Sequence, residues 1–141
     1  MKMTTYLNYG GNCAEALRFY EQHLGGKIVS MSTFAGMPGP ANIPPGLTKD
    51  SVLHARIMIG DAVLMASDAP PEIYKPMRSA YLALSLENSS EVEKLYALLT
   101  EGGEIFMKLE ETFFAHRFAM LRDRFGTSWM LIHERPMHGE N

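Results

Sequence analysis

The chain has 141 residues, of which 46% are hydrophobic and 21% are charged, and its formal net charge is −3. This is ordinary composition for one globular domain that can bury a hydrophobic core without disulfides or a structural metal ion. An acidic balance without runs of five like charges excludes the basic surface that nucleic-acid binding needs. One cysteine excludes an internal disulfide, and neither a signal peptide nor a stretch of about 18 apolar residues is present. We therefore expect a cytoplasmic protein without a membrane anchor.

The first predicted elements are a strand and a helix. Alternating side chains over residues 3–9 predict the strand. Asn12 is then a natural N-cap for a helix from residue 13 to about 24, with Glu15 as its capping-box partner. The glycine at position 25 predicts the end of this helix.

A long loop interrupts the strands that follow. Residues 35–50 contain four prolines and three glycines, so the segment is too proline-rich for a helix and too long for a hairpin. It is interpreted either as a loop over the mouth of a binding cleft or as a passive insertion. The strands of this half are predicted at residues 27–34, 52–59 and 62–67, with a Gly60-Asp61 turn between the last two.

The second half of the chain repeats the pattern after a proline-rich linker. Tyr6-Leu7 is matched by Tyr81-Leu82, and Gly-Gly-Lys-Ile is matched by Gly-Gly-Glu-Ile. We predict an α+β fold in which one domain, 1–141, consists of two tandem βαβββ modules that share a cleft. The modules span 3–68 and 79–135, the linker is 69–78, and the second module has strands at 80–86, 104–107, 113–122 and 128–133 and a helix from about 88 to the Gly102-Gly103 pair.

Alternation within the strands indicates which side chains face this cleft. The odd-numbered residues from Leu53 to Ile59 form an apolar side, which leaves His54 on the other side, and His116 is interpreted as its counterpart. Each histidine either lines the cleft or only hydrogen-bonds a neighbour within the fold. The candidate ligand-binding residues are Tyr6, Asn8, His54, Met65, Tyr81, His116 and Met130.

Sulfur-containing residues offer further candidates. Eleven methionines are many for this length, and flexible thioethers suit both a core and a pocket for apolar ligands. Cys13, at the predicted helix start, is either activated by the helix dipole or a buried, inert thiol. No Gly-rich phosphate loop, HExxH, CxxC or nucleophile-elbow motif occurs in the sequence.

Three segments in order carry a family resemblance, namely YLNYGGNCAEALRFYEQHLGGKI, HARIMIGDAVLMASD and ETFFAHRFAMLRDRFGTSWMLI. They resemble the PhnB-like branch of the vicinal oxygen chelate superfamily, which also contains glyoxalase I, extradiol dioxygenases and bleomycin- or fosfomycin-resistance proteins. The resemblance covers nearly the whole chain. It implies a glyoxalase-like fold with curved mixed sheets, and a homodimer.

The resemblance also implies where a metal would lie. Metal-dependent members hold a divalent ion with His or Glu from the first and last strand of each module. Neutral hydroxyls, phenols and thioethers are poor ligands for such a cation. The matching positions are Thr4, Met65, Tyr81 and Met130, with Tyr6 replacing Thr4 if the register shifts by two, so we expect no metal and no cofactor.

Three functional hypotheses follow. The first is a metal-independent protein that binds a small organic ligand in the cleft, as sequestering resistance relatives do. The second is an enzyme of the lyase, isomerase or dioxygenase type with a displaced site, in which His54 and His116, with Glu111, hold a metal or act as general acid and base. The third is a structural dimer without a ligand.

Overall fold

The computed structural model describes residues 1–37 and 42–136. It divides into two compact units, Met1–Lys75 and Pro76–Asn141, and the division falls inside the segment expected to be a linker. In the described part of the chain, each unit has a four-stranded mixed sheet with one α-helix packed on it. The α+β class and the βαβββ order predicted from the repeat are therefore confirmed.

The first unit places its core between one helix and one face of the sheet. Leu17 and Tyr20 of the helix are fully buried, as are Ala55 and Ile57 of the sheet. Burial of each large apolar side chain contributes about 1.5–3 kcal/mol to folding. The elements are β1 (Thr5–Tyr9), α1 (Cys13–His23), β2 (Lys27–Thr33), β3 (Val52–Ile59) and β4 (Ala62–Asp68), and the sheet order is β1-β4-β3-β2 with β1 parallel to β4.

The second unit has the same topology. Val92 and Leu99 of its helix and Trp129 and Leu131 of its sheet are almost completely buried. Its elements are β5 (Leu82–Ser85), α2 (Ser89–Thr100), β6 (Glu104–Glu110), β7 (Ala115–Arg122) and β8 (Ser128–Glu134), in the order β5-β8-β7-β6 with β5 parallel to β8. Neither helix of the described residues is long and apolar enough to cross a membrane.

Each helix ends at its predicted pair of glycines. Gly25 and Gly102 have φ angles of 66° and 72°, a left-handed conformation that is cheap only for glycine. The second glycine of each pair lies close to the sheet. A Cβ atom at Gly26 would lie 3.1 Å from Cδ1 of Ile57, whereas one at Gly103 would overlap the backbone carbonyl oxygen of Arg122.

The two helices begin at their predicted N-cap residues, Asn12 and Asn88, but only Asn88 caps its helix with its side chain. At α2, Asn88 Oδ1 accepts a hydrogen bond from the Glu91 backbone N–H at 2.8 Å, and Asn88 Nδ2 donates to the Glu91 carboxylate at 3.3 Å. At α1, Asn12 makes no side-chain cap, and its buried Oδ1 has no hydrogen-bond partner among the described residues. The capping box with Glu15 does not form there.

Asp68, at the end of β4, replaces that cap. Its Oδ1 accepts hydrogen bonds from the backbone N–H groups of Gly11 at 3.0 Å and Cys13 at 2.9 Å, and its Oδ2 accepts from Val52 at 2.8 Å. A buried carboxylate is tolerated when such donors surround it. The start of α1 is thus held by a residue distant in the sequence, which local pattern reading does not reveal.

A bulge corrects one face assignment in β3. Ser32 pairs with His54, but the next residue, Thr33, pairs with Val52, which leaves Leu53 without a partner in β2. Val52 is therefore fully buried and Leu53 is exposed, the opposite of the predicted alternation. From Ala55 onward the predicted apolar side is correct.

The described part of the long loop packs on its own unit. It opens with a short 3-10 helix, Phe34–Gly36, and the Ala35 N–H donates to the carbonyl of Lys49 at 2.9 Å. A Cβ atom at Gly46 would lie 2.5 Å from Cδ of Pro71, so the loop touches the segment after β4. Residues 38–41, the most proline-rich part of the predicted loop, lie outside the described residues, and a role over a binding site stays a prediction.

Candidate functional site

Each sheet has one face that carries no helix of its own unit, which we call its open face. In the first sheet, Leu7, Ala55 and Ala66 are buried on the helix-bearing face. Side chains alternate along a strand, and residues directly opposite each other in neighbouring strands point to the same face. Tyr6 and Met65, which pair with each other, therefore lie on the open face.

A row of side chains crosses the open face of the first sheet. Tyr6 of β1 pairs with Met65 of β4, Met65 pairs with Arg56 of β3, and Arg56 pairs with Ser30 of β2. Arg56 Nη2 donates to the Met65 sulfur at 3.6 Å, and Tyr6 is 45% exposed. A phenol, a thioether and a guanidinium thus lie side by side on this face.

A second set of polar groups adjoins this row. The Tyr6 hydroxyl lies 3.3 Å from Nδ1 of His54, and the two ring centroids are 5.9 Å apart. Ser67 donates to Oδ1 of Asn8 at 3.2 Å, and these two residues pair across β1 and β4. The structure therefore brings the four sequence-predicted residues of the first unit, Tyr6, Asn8, His54 and Met65, onto one face.

The open face of the second sheet is different in character. Met130 of β8 pairs with Met120 of β7 and with Ala83 of β5, and Met120 pairs with Met107 of β6. Three thioethers in a row make a deformable apolar surface. The candidate residue Met130 therefore lies in a row with Met107 and Met120, which the sequence did not identify as candidates.

Tyr81 precedes β5 and belongs to a cluster of aromatic and cationic groups. Its hydroxyl accepts a hydrogen bond from Arg78 Nη1 at 3.0 Å, and its ring meets that of Phe106 edge-on at 6.3 Å. The guanidinium carbons of Arg78 and Arg122 lie 3.9 Å and 5.4 Å from the Phe106 centroid, within reach of cation–π attraction. Sequence reasoning missed Arg78, Phe106 and Arg122, since no local spacing brings a linker residue beside two strands.

His116 lies apart from Met130 and Tyr81. Ala115 pairs with Glu134 and Arg117 pairs with His133, so His116 is the extra residue of a bulge. Its ring centroid is 4.7 Å from that of His133, and His133 Nδ1 lies 3.1 Å from the Ser89 hydroxyl at the start of α2.

The strand register corrects two predicted correspondences between the units. Met65 and Met130 are equivalent, because Met65 pairs with Arg56 and Tyr6 where Met130 pairs with Met120 and Ala83. The counterpart of Tyr6 is therefore Ala83 rather than Tyr81, and the counterpart of His54 is Phe118 rather than His116. Alternation repeats every two residues, so it identifies a face and leaves a two-residue shift undetected.

The residues present do not fit the divalent ion that the family resemblance implies. The positions matched to the family's ligands are Thr4 and Met65 in one unit and Tyr81 and Met130 in the other, and none carries an imidazole or a carboxylate. The same holds for Tyr6 and Ala83, which pair with the two methionines. The Arg56 guanidinium beside the Met65 sulfur adds a permanent positive charge, which disfavours a cation there. Among the residues that the structure describes, no group of three or more His, Cys, Asp or Glu side chains has metal-binding geometry.

The remaining titratable candidates, Glu111 and Cys13, make contacts that give them structural roles. Glu111, expected to assist the two histidines in the enzyme hypothesis, forms an ion pair with Arg135. Cys13 is fully buried, and burial, with a smaller contribution from the Asp68 carboxylate, raises the pKa of its thiol to about 12. The interpretation of Cys13 as a buried thiol is confirmed, and its raised pKa disfavours the thiolate, which is the reactive form.

Comparison with known proteins identifies the family. Residues 4–131 match the model of the Glyoxalase/Bleomycin resistance protein/Dioxygenase superfamily. Protein YjdN of Escherichia coli (strain K12) is 31% identical over 138 residues, which cover 93% of this chain and 94% of YjdN. The chain belongs to the glyoxalase/bleomycin resistance/dioxygenase superfamily.

Solved structures agree with this assignment. Protein PA1353 from Pseudomonas aeruginosa has 39% sequence identity and a TM-score of 0.83, with 95% of this chain and 98% of that chain covered. The PhnB protein from Bacillus cereus has 27% identity and a TM-score of 0.81, with 94% and 99% covered. The fold is the glyoxalase-like fold of vicinal oxygen chelate proteins, and its neighbours include the PhnB branch.

Proposed function

We propose that this protein binds a small organic ligand on the open faces of its sheets and does so without a metal ion. The observation that carries the proposal is the set of preorganised polar groups on the first open face, where Tyr6 is hydrogen-bonded to His54 beside the Arg56–Met65 contact. Binding sites commonly combine a few convergent polar groups with apolar surroundings.

The composition of this face supports a recognition role rather than a packing role. A face that only packed against protein would be apolar along its length, whereas Tyr6, Asn8, His54 and Arg56 all offer hydrogen bonds. Tyr6 is 45% exposed, so its ring and hydroxyl are accessible within the described structure. Hydroxyl, amide, imidazole and guanidinium together can orient a polar ligand.

The second open face also supports ligand binding, but through apolar thioether side chains rather than polar groups. Met107, Met120 and Met130 present thioethers that adapt to ligands of variable shape. Metal independence is supported by the donor set, because the positions matched to the family's metal ligands, Thr4, Met65, Tyr81 and Met130, carry hydroxyl, thioether and phenol groups.

The experiment is a ligand-observed NMR screen of a small-metabolite collection in buffer that contains EDTA. We expect saturable binding in the chelator, with loss of binding in the double variant Tyr6→Ala/His54→Ala. Lys94→Ala, an exposed change on α2, serves as the control and should bind normally. A folded wild-type protein that binds nothing, or that binds only after a divalent ion is added, would contradict the proposal.

A second candidate function is acid–base or metal-assisted catalysis at the histidines. The 3.3 Å contact between the Tyr6 hydroxyl and His54 favours it, because a hydroxyl paired with an imidazole can transfer a proton. It predicts that His54→Ala plus His116→Ala removes metal retained after incubation with manganese, nickel, zinc and iron followed by desalting. Unchanged metal content in the folded variant would reject the metal form of this candidate.

The family resemblance also supports a homodimer. Light scattering coupled to size exclusion should give a mass of two chains. A monomeric mass at high protein concentration would reject the dimer without affecting the proposed binding function.

A further inference from the structure

Arg56 is a half-buried cation that the protein leaves largely unsatisfied. A guanidinium has five N–H donors, and the one hydrogen bond of this side chain among the described residues goes to the Met65 sulfur at 3.6 Å. A thioether is a weak acceptor. Arg56 takes part in none of the ion pairs Arg117–Glu93, Arg122–Glu104 and Arg135–Glu111.

The strand partners of Arg56 and its open-face neighbours along β3 carry no negative charge. Its partners across the neighbouring strands are Ser30 and Met65, and the open-face neighbours along β3 are His54 and Met58. Withdrawing a charge from water is costly unless an opposite charge or several acceptors replace the hydration shell. An anion at this position would therefore gain more here than at an exposed arginine.

The geometry around the guanidinium suits an oxyanion. The planar fork of arginine matches two oxygens of one carboxylate, and such bonds are about twice as strong as neutral ones. Tyr6 occupies the same row and its hydroxyl, hydrogen-bonded to His54, adds a further donor or acceptor. A carboxylate bound at Arg56 would thus find a second polar group on the adjacent strand.

We propose that the ligand of the first open face is a small organic anion whose carboxylate, or a similar oxyanion, is bound by Arg56. This inference rests on the proposed function and names the ligand class of that same site. The Met65 thioether lies beside the guanidinium, so a ligand bound at Arg56 also meets an apolar group, which favours an organic acid over a bare inorganic ion.

The test uses matched pairs of arylacetic acids and the corresponding primary amides, which share one body and differ in charge. Dissociation constants are measured by saturation-transfer NMR in EDTA at low and high salt. Wild-type protein should bind acids more tightly than amides, and added salt should weaken only the acids. Arg56→Gln should weaken acid binding by about tenfold to a hundredfold, the range expected for a lost charge-assisted hydrogen bond.

Three controls make the result specific. Arg56→Lys keeps the charge without the planar fork and should retain part of the affinity for acids. Arg18→Gln removes an exposed arginine of α1 and should bind acids as the wild type does. Thermal unfolding of Arg56→Gln establishes that the variant is folded.

The outcomes separate this inference from the function on which it rests. Equal binding of acids and amides, unaffected by Arg56→Gln, would overturn the anion assignment and leave small-molecule binding intact. Binding of acids that Arg18→Gln and Arg56→Gln weaken equally would also overturn it, because the effect would then be general charge attraction. Absence of binding by both compound classes in the folded wild type would count against the proposed function and this inference together.

Discussion

The open faces of the two sheets differ although the sheets have the same strand order and equivalent pairing. Where the first sheet has Tyr6 and Arg56 on either side of Met65, the second has Ala83 and Met120 on either side of Met130. The helix-bearing faces are alike, since both are buried and apolar. Topology therefore determines one face of each unit, and the other face is free to acquire separate chemistry, polar in one unit and thioether-rich in the other.

The largest predicted effect tests how alike the two scaffolds are. Gly103→Ala should lower the free energy of unfolding by roughly 3 kcal/mol, because the new methyl group overlaps the backbone carbonyl of Arg122. Gly26→Ala, the equivalent change in the first unit, should cost only about 1 kcal/mol. The new methyl group would lie 3.1 Å from Ile57 Cδ1 and 3.2 Å from the Tyr20 carbonyl oxygen, tight contacts that small shifts relieve. Urea unfolding of both variants measures the difference, and equal losses would contradict the described approach of Gly103 to the β7 end.

The helix starts provide a second comparison. Asn88→Ala should cost about 1 kcal/mol because it removes the side-chain acceptor for the Glu91 N–H. Asn12→Ala should cost less than about 0.5 kcal/mol, because Asp68 holds that helix start and Asn12 Oδ1 makes no hydrogen bond within the described structure. If denaturant unfolding shows the larger loss for Asn12→Ala, the assignment of the α1 cap to Asp68 is wrong.

Converting one open face into the other gives a smaller change in stability and a large one in binding. The double variant Tyr6→Ala/Arg56→Met gives the first sheet the residues of the second at these positions. We expect unfolding within about 0.5 kcal/mol of wild type, because these side chains pack little of the core, and loss of arylacetate binding. Lys94→Ala, an exposed change on α2, is the control, and retained arylacetate binding by the double variant would reject the first open face as the site.

The smallest effect at neutral pH concerns Cys13, which has no cysteine counterpart in the second unit. Since its thiol pKa is raised from 9.0 to about 12 in the folded state, the unfolded chain loses this proton at lower pH. The resulting stability is fully present below pH 9 and is lost as pH rises toward 12. Cys13→Ala should flatten this loss, and native protein at pH 8 should resist iodoacetamide until denaturant is added; rapid labelling of native protein would contradict the burial of the thiol.

Much of the fold could be predicted because its signals are local. The alternating run at β3 predicted Val52–Ile59 with the observed limits, and the paired glycines predicted both helix ends. What failed depended on partners distant in the sequence. The start of α1 is held by Asp68, which is 55 to 57 residues away in the sequence from the backbone N–H groups that it binds. No spacing within the helix itself reveals this contact.

The sequence predicts which face of a strand each candidate residue occupies, but it does not predict how that strand pairs with its neighbours. Alternation correctly put Tyr6, Asn8, His54 and Met65 on one side of the first sheet, as the strand pairing and hydrogen bonds show. It could not reveal that His116 occupies a bulge, because the extra residue is defined by the neighbouring strand. Arg56 lies two residues after His54 and therefore on the same face. Only its contact with Met65 and its lack of an ion pair among the described residues make it a candidate for binding an anion.

The most direct test of metal-independent ligand binding at the open face is methionine-methyl NMR of 13C-labelled protein titrated with an arylacetic acid in EDTA. We expect a saturable shift of the Met65 methyl signal, while the exposed Met1 and Met3 signals stay in place. The Met65 shift should disappear in Arg56→Gln. A Met65 signal that stays unchanged at saturating ligand, or that moves only after a divalent cation replaces the chelator, would contradict metal-independent binding at the first open face.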